Sequence, residues 1–278
     1  MTTTLTGQST RLAVGVTRVT APNPSPMTGP GTNSYVVGTG PFAIIDPGVD
    51  DAAHLAALRA AAPGEIAAIL ITHAHPDHTG GVATLKAATG APVLAHSAQL
   101  AGVRDEALVV DRTLTHGDTL ALGEVTLEAL HTPGHTADHL CFYARESRWL
   151  FAGDTVMADV TVVILPPDGS MTDYLNSLAQ LAGMAIDTIA PGHGHLLDDP
   201  AATFAHITQH RLDREAQVRD VLDPTTPRSA AAIATVLYPD LDPRLQRMAA
   251  AQVQAHLIRL VELGEAAQAE DGWRRLTR

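Results

Sequence analysis

The sequence predicts an α/β layered fold over residues 1–200, followed by a small helical appendage over 201–278. Three observations carry that expectation. Short apolar runs of strand length alternate with helical patterns through the first part, the arrangement that lays helices on sheets. From Ala201 the pattern lengthens into apolar stripes, with Phe204, Ile207, Val218 and Val221 on one helix and Leu245, Ala249, Val253, Leu257 and Leu260 on another. A chain of 278 residues is also long enough for one large domain with a full core and such an addition.

Taken in order, Arg11 to Val19 reads as a strand, and Pro22, Pro24 and Pro26 then force an extended loop able to run over the mouth of a site. Strands at Asn33–Val37 and Phe42–Ile45 are joined by the turn signal Gly38-Thr39-Gly40-Pro41, and the second ends at Asp46-Pro47-Gly48. Ala52 to Ala61 is a helix stopped by Pro63-Gly64. Ile66 to Ile71 is an apolar strand, Val82 to Ala88 a helix and Pro92 to Ala95 a short strand, whereas Ala101 to Thr113 shows no clear pattern. Gly117 to Leu120 opens a turn and strand, and Val125 to Ala129 alternates as a half-buried strand does. His139–Ala144 and Arg148–Phe151 are strands joined by a charged turn, Thr172–Leu181 is helical, and Asp187–Ala190 is the last strand of this part. In the appendage, Ser229 to Leu237 is a shorter helix, Gly264 a helix stop and Asp271-Gly272 a hairpin turn.

The stretch Thr72-His73-Ala74-His75-Pro76-Asp77-His78 concentrates three imidazoles and a carboxylate between an apolar strand and the glycines Gly80-Gly81. A single histidine is ordinarily a satisfied core or surface residue. Four donors at this spacing form a metal-ligand cluster, because extended backbone alternation puts His73, His75 and Asp77 on one side and the turn brings His78 round. Mixed imidazole and carboxylate ligation suits zinc first, and also iron or manganese.

Charge and composition narrow the partners. Residues 1–200 carry 8 basic and 20 acidic side chains and 201–278 carry 10 of each, giving the formal net charge of −12. That balance opposes broad attraction to nucleic acid, and DNA is not an expected partner. The single Cys141 excludes an internal disulfide. The first residues lack the basic start and apolar core of a secretory signal, and no run is long enough to span a bilayer, so the expected address is cytoplasmic. Neither a serine nucleophile elbow nor a phosphate-binding P-loop is present.

His73-x-His75-x-Asp77-His78 resembles the metal signature of the metallo-β-lactamase fold hydrolases. Downstream, His131-Thr132-Pro133-Gly134-His135-Thr136, Phe151-Ala152-Gly153-Asp154-Thr155 and Ala190-Pro191-Gly192-His193-Gly194 match the later metal segments of that family in order. A closer likeness is to the lactamase-beta-like protein 2 group, through Asn23-Pro24-Ser25-Pro26-Met27, Gly31-Thr32-Asn33-Ser34-Tyr35 and Pro166-Pro167-Asp168-Gly169-Ser170-Met171, so the resemblance runs from about residue 20 to the C-terminus. It implies a four-layer αβ/βα sandwich with a winged-helix-like appendage that caps the active site or makes a homodimer contact. It implies two metal ions: His73, His75 and His135 on one, Asp77, His78 and His193 on the other, and Asp154 bridging. Asp46 is either a support behind the metal histidines or a plain turn residue before Pro47. His96 reads as structural or exposed; His131 and His139 could each hydrogen-bond behind the ligands, with a satisfied core histidine the stronger reading for both.

Two such cations acidify a shared water to near neutrality, and Asp77 would steer the resulting hydroxide as the catalytic carboxylate. Asn33, Tyr174 and His195 are substrate-binding candidates, with core packing the stronger reading for Tyr174 and its neighbour Ser177. The first substrate class is a small acyl compound, a thioester, ester or lactone. Two alternatives stand beside it: a single-stranded RNA endoribonuclease, using an arginine patch at Arg274, Arg275 and Arg278, and a non-catalytic metal-containing binding protein.

Overall fold

The computed structural model describes residues 7–97, 108–158 and 160–276. They divide into two compact units, the first comprising Met1–Thr132, Ala137–Val162 and Met184–Pro200, the second Pro133–Thr136, Val163–Gly183 and Ala201–Arg278.

Two sheets form the first unit. The seven-stranded sheet runs in sequence order: β1 (Ser9–Ala13), β2 (Val16–Thr20), β3 (Asn33–Val37), β4 (Phe42–Ile45), β5 (Ile66–Leu70), β6 (Val93–Ala95) and β7 (Arg112–Thr113). Its first four strands pair antiparallel and the last three join in parallel. The five-stranded sheet holds β8 (Thr119–Leu122), β9 (Val125–His131), β10 (Leu140–Ala144), β11 (Trp149–Gly153) and β12 (Thr188–Pro191), with β12 parallel to β11 at one edge.

One core joins the sheets, where Tyr35, Val37, Ile45 and Leu70 of the first meet Leu127, Phe142 and Phe151 of the second. The other face of the seven-stranded sheet buries Val36, Ile44 and Ile69 under Leu55 and Leu58 of α1 (Ala52–Ala61) and Leu85 of α3 (Val82–Thr89). Covered on both faces, β5 has no polar residue at all, as a buried parallel strand requires. Asp51 caps α1 by accepting from His54 N, and α3 stops at Gly90 in the left-handed conformation.

Two local readings change in this unit. The strand at Arg11–Val19 is broken into the hairpin β1–β2, because Gly15 adopts φ +68° and reverses the chain. The unpatterned stretch contributes β7, a two-residue edge strand held by backbone pairing alone, which leaves no periodic side-chain signal; residues 98–107 lie outside the described residues.

The second unit contains α4 (Met171–Ala182), α5 (Pro200–Val221), α6 (Ala230–Leu237), a 3₁₀ turn (Pro243–Leu245), α7 (Gln246–Glu262) and the hairpin β13 (Ala266–Ala269) with β14 (Gly272–Arg275). Val218 and Leu222, Ile233, Val253, Leu257 and Leu260, and Trp273 of the hairpin make its core. The hairpin turns one residue earlier than the sequence suggested, since Gly272 already pairs with Ala269 and leaves Glu270 and Asp271 to make the turn. A polar seam also runs inside this unit, where buried Glu215 of α5 meets Arg259 and His256 of α7.

Candidate metal centre

Metal-type donors gather where strands of both sheets end. After β5 the backbone stays extended through His73 to His75, and His75 is the residue before a single helical turn, α2 (Pro76–Thr79), with Pro76 at its first position. Alternation therefore governs His73 and His75 only. Their rings meet with Nε2 of His73 2.9 Å from Nδ1 of His75. Asp77 and His78 reach the site from the helical turn, a correction to the extended reading that placed Asp77 in line with the two histidines.

Asp154, one residue past β11, and His193, two past β12, come in from the other sheet. The ligand atoms of Asp77, His78 and His193 lie within 4.8 Å of one another, as do those of His73, His78 and Asp154. His78 Nε2 is 3.4 Å from Asp154 Oδ1 and 3.6 Å from Asp77 Oδ2, and His193 Nε2 is 3.4 Å and 3.3 Å from the same oxygens. Such proximity sets the protonation. Burial disfavours charge on all four, yet their mutual attraction outweighs it: Asp154 and Asp77 raise His78, Asp154 lifts His193 to about 9, and His78 with His193 holds Asp77 at about 2 and Asp154 well below the carboxylate range.

Whether these residues fit a metal is decided by their outer nitrogens. Nδ1–H of His78 donates to Asp46 Oδ2 at 2.8 Å, which leaves Nε2 as the atom facing Asp77, Asp154 and His193, a nitrogen whose proton a cation would replace. Thr72 Oγ1–H donates to the same Oδ2 at 2.7 Å, so its oxygen accepts from His73 Nδ1–H at 3.0 Å, and His73 likewise turns Nε2 inward. His193 Nδ1–H donates to Gly31 O at 3.3 Å. Each imidazole is thus anchored through one nitrogen and presents the other, the arrangement that fixes ligating histidines. The donor set fits a divalent cation.

Asp46 does this from a left-handed backbone, φ +49°, with Oδ1 accepting from Thr72 N at 2.8 Å. Three further residues support the site, and of them Thr72 and Asp138 had no signal in the sequence. Thr72 relays Asp46 to His73. His139 is fully buried, stacks on His73 at 5.1 Å and accepts the backbone N–H of Asp154 on Nε2 at 3.0 Å. Asp138 accepts from Ala74 N at 3.1 Å. Only the crowding of histidines around residues 131–139 could have pointed to His139.

The substrate candidates fare differently. Asn33 is buried with its amide spent, donating to Pro191 O and Gly194 O and accepting from Thr20 Oγ1, so it holds the loop of His193. Tyr174 is buried, its ring beneath the Arg211 guanidinium at 5.2 Å, which supports packing over substrate contact. His195 is exposed. Arg274 is exposed and Arg275 half-buried, whereas Arg278 lies outside the described residues. His96 and His131 stack face to face at 4.0 Å.

His135 belongs to the second unit. It is half-buried, and Nδ1–H donates to Val163 O at 2.7 Å, which turns Nε2 into the acceptor. Ser177 of α4 donates to Pro133 O at 2.7 Å and Ser170 N donates to Gly134 O at 2.9 Å.

With that geometry in place, the sequence model of the metallo-β-lactamase superfamily matches residues 27–193. The chain belongs to the metallo-β-lactamase superfamily. It is a metallo-hydrolase of that family, and the β-lactamase-associated winged helix domain matches residues 229–273. The β-lactamase-like protein 2 homolog of Drosophila melanogaster is 31% identical over 273 residues, covering 92% of this chain and 91% of its own. An atrochrysone carboxyl ACP thioesterase of Aspergillus chevalieri is 33% identical over 229 residues, covering 79% and 70%. Among solved structures, a metallo-β-lactamase family protein of Thermus thermophilus superposes with TM-score 0.78 at 25% identity over 96% of this chain and all of its own. A second, solved in a di-iron-bound form, gives TM-score 0.55 at 31% identity over 66% of this chain and 95% of its own. Among the described residues, no helix is long and apolar enough to cross a membrane.

Proposed function

We propose that this member of the superfamily is a dinuclear metal-dependent hydrolase of small acyl thioesters, with a catalytic domain over residues 1–200 and the winged-helix appendage over 201–278. The observation that carries it is the inward presentation of Nε2 by His73, His78 and His193 around the carboxylates of Asp77 and Asp154. His73, His75 and His135 would hold one ion, Asp77, His78 and His193 the other, and Asp154 would serve both. Zinc suits this nitrogen and oxygen set, with iron or manganese as substitutes, and when bound supplies an acidified water and a polarised substrate oxygen at neutral pH.

The chain's own residues divide the remaining work. Asp77 is the exposed carboxylate of the pair, its side chain 31% accessible against 9% for Asp154, so it is the one placed to meet substrate and water. Held ionised at about 2, its carboxylate can accept a hydrogen bond from the attacking water and so orient it. Asp46, Thr72 and His139 keep the imidazoles and Asp154 in place. No protein nucleophile competes from Cys141, which is fully buried with its thiol pushed up to about 11.

A thioester is preferred because the A. chevalieri relative is named a thioesterase and the acidic net charge disfavours a polyanion. The test is metal-loaded protein assayed on an acyl-pantetheine thioester beside a labelled single-stranded RNA, with Asp77→Ala as control. Metal-dependent thioester turnover lost in Asp77→Ala is the expected result. RNA cleavage with an intact thioester would replace this reading by the nuclease one, and no metal-dependent turnover of either would favour a binding protein.

A further inference from the structure

The tetrapeptide Pro133–Thr136 leaves the first compact unit at Thr132 and rejoins it at Ala137, yet it packs as part of the second unit, with the appendage. Its grip there is specific. Ser177 Oγ–H donates to Pro133 O at 2.7 Å, from a side chain only 4% exposed, and Ser170 N–H donates to Gly134 O. Gly134 is pressed so closely on α4 that a Cβ there would fall 2.3 Å from Tyr174 Cα. His135 itself is tied to Val163 O.

Helix α4 is in turn tied to the appendage. Thr172 Oγ1 donates to Glu262 of α7, and Tyr174 lies under Arg211 of α5, which is locked to α7 through Glu215 and Arg259. A continuous chain of contacts therefore runs from the winged-helix element α7 through α4 to a histidine whose neighbours in sequence lie in the other unit.

We propose that the C-terminal appendage is a brace for His135, with Ser177 as the positioning residue that transmits it through Pro133, so that metal affinity at the ion held by His135 depends on α7. The proposal rests on the assignment of His135 as a metal ligand, and it makes the appendage a part of the metal site's stability in place of a separate binding module. A side chain that fixes a ligand's backbone acts on metal affinity as outer-shell partners do, and its loss costs about tenfold or more. A surface link such as Thr172 to Glu262 costs less, a few-fold at most.

The test separates the two ions by background. In a His193→Ala protein, which keeps only the His135-dependent ion, zinc affinity is measured by chelator competition with and without Ser177→Ala, and again with Glu262→Ala. The same two substitutions are placed in a His135→Ala background, which keeps the other ion. Ser177→Ala is expected to weaken zinc about tenfold in the first background and leave the second unchanged, with Glu262→Ala giving a smaller loss in the first alone. Equal losses in both backgrounds would mean general loosening and overturn the brace. Unchanged affinity with either Ser177→Ala or Glu262→Ala would overturn it as well. If His135→Ala by itself leaves the zinc content of the otherwise intact chain unchanged, the ligand assignment falls, and the brace with it.

Discussion

A single carboxylate, Asp46, governs the direction of two imidazoles. It accepts from His78 directly and from His73 through the Thr72 hydroxyl, and it holds a backbone φ of +49° to do so. Asp46→Ala is therefore expected to lower zinc affinity by about ten- to a hundredfold while the fold persists, as chelator competition and circular dichroism would show. His75→Ala, at a half-buried position, should abolish activity and reduce metal content without unfolding the protein, and retained activity would contradict its assignment as a ligand. His139→Phe keeps a ring against His73 but removes the acceptor of Asp154 N–H, stranding a buried donor at a cost of about 1–3 kcal/mol, read as a lowered Tm of the metal-free protein. His73, His75, Asp77 and His78 were legible in the sequence because structural histidines occur singly, and four metal-type donors rarely crowd into six residues without a cation to share. Thr72 was opaque, and His139 could be read no further than a core histidine able to hydrogen-bond, because their roles exist only through partners distant in the chain, Asp46 and Asp154.

At the scale of elements, strands aim the candidate ligands and tight turns let them approach. Gly153 closes β11 at φ +47°, and a Cβ there would sit 2.7 Å from His139 Nε2 and 2.8 Å from Thr72 Cβ and Oγ1. Gly153→Ala is expected to push apart the strand ends that carry Thr72 and Asp154, with a stability loss of about 1–3 kcal/mol and a loss of bound metal, measurable by thermal unfolding and metal analysis. Most elements were readable for a physical reason: β5 is apolar throughout because it is covered on both faces, and Asp51 and Ser229 cap helices from the side chains that do so best. Those that escaped were set by backbone alone. The β1–β2 reversal hangs on one glycine, and β7 exposes both of its side chains. The buried face of α7 that carries His256 and Arg259 was also hidden, since polar residues at helical spacing read as a solvated face until Glu215 is seen opposite them.

At the scale of the whole molecule, acid should act on that polar seam. Burial holds His256 below its ordinary value of 6.5, against the pull of Glu215, and Arg211 and Arg214 add to the depression. The unfolded chain thus binds a proton near pH 6.5 that the folded chain refuses, so stability falls as pH drops below that value, and Glu215, whose own pKa is lowered, extends the loss below its ordinary 4.5. His256→Gln should flatten the upper part of this decline in denaturant titrations between pH 7 and 5; an unchanged slope would count against it. The order of the sheets has another consequence. Strands β1 to β7 make one sheet and β8 to β12 the other, with no exchange between them. On the ribosome, the first sheet can be complete while the strands that cover Tyr35, Val37, Ile45 and Leu70 are still being synthesised. The nascent chain must therefore carry an open apolar face for the length of that interval, and it is then that a holdase chaperone has most to grip.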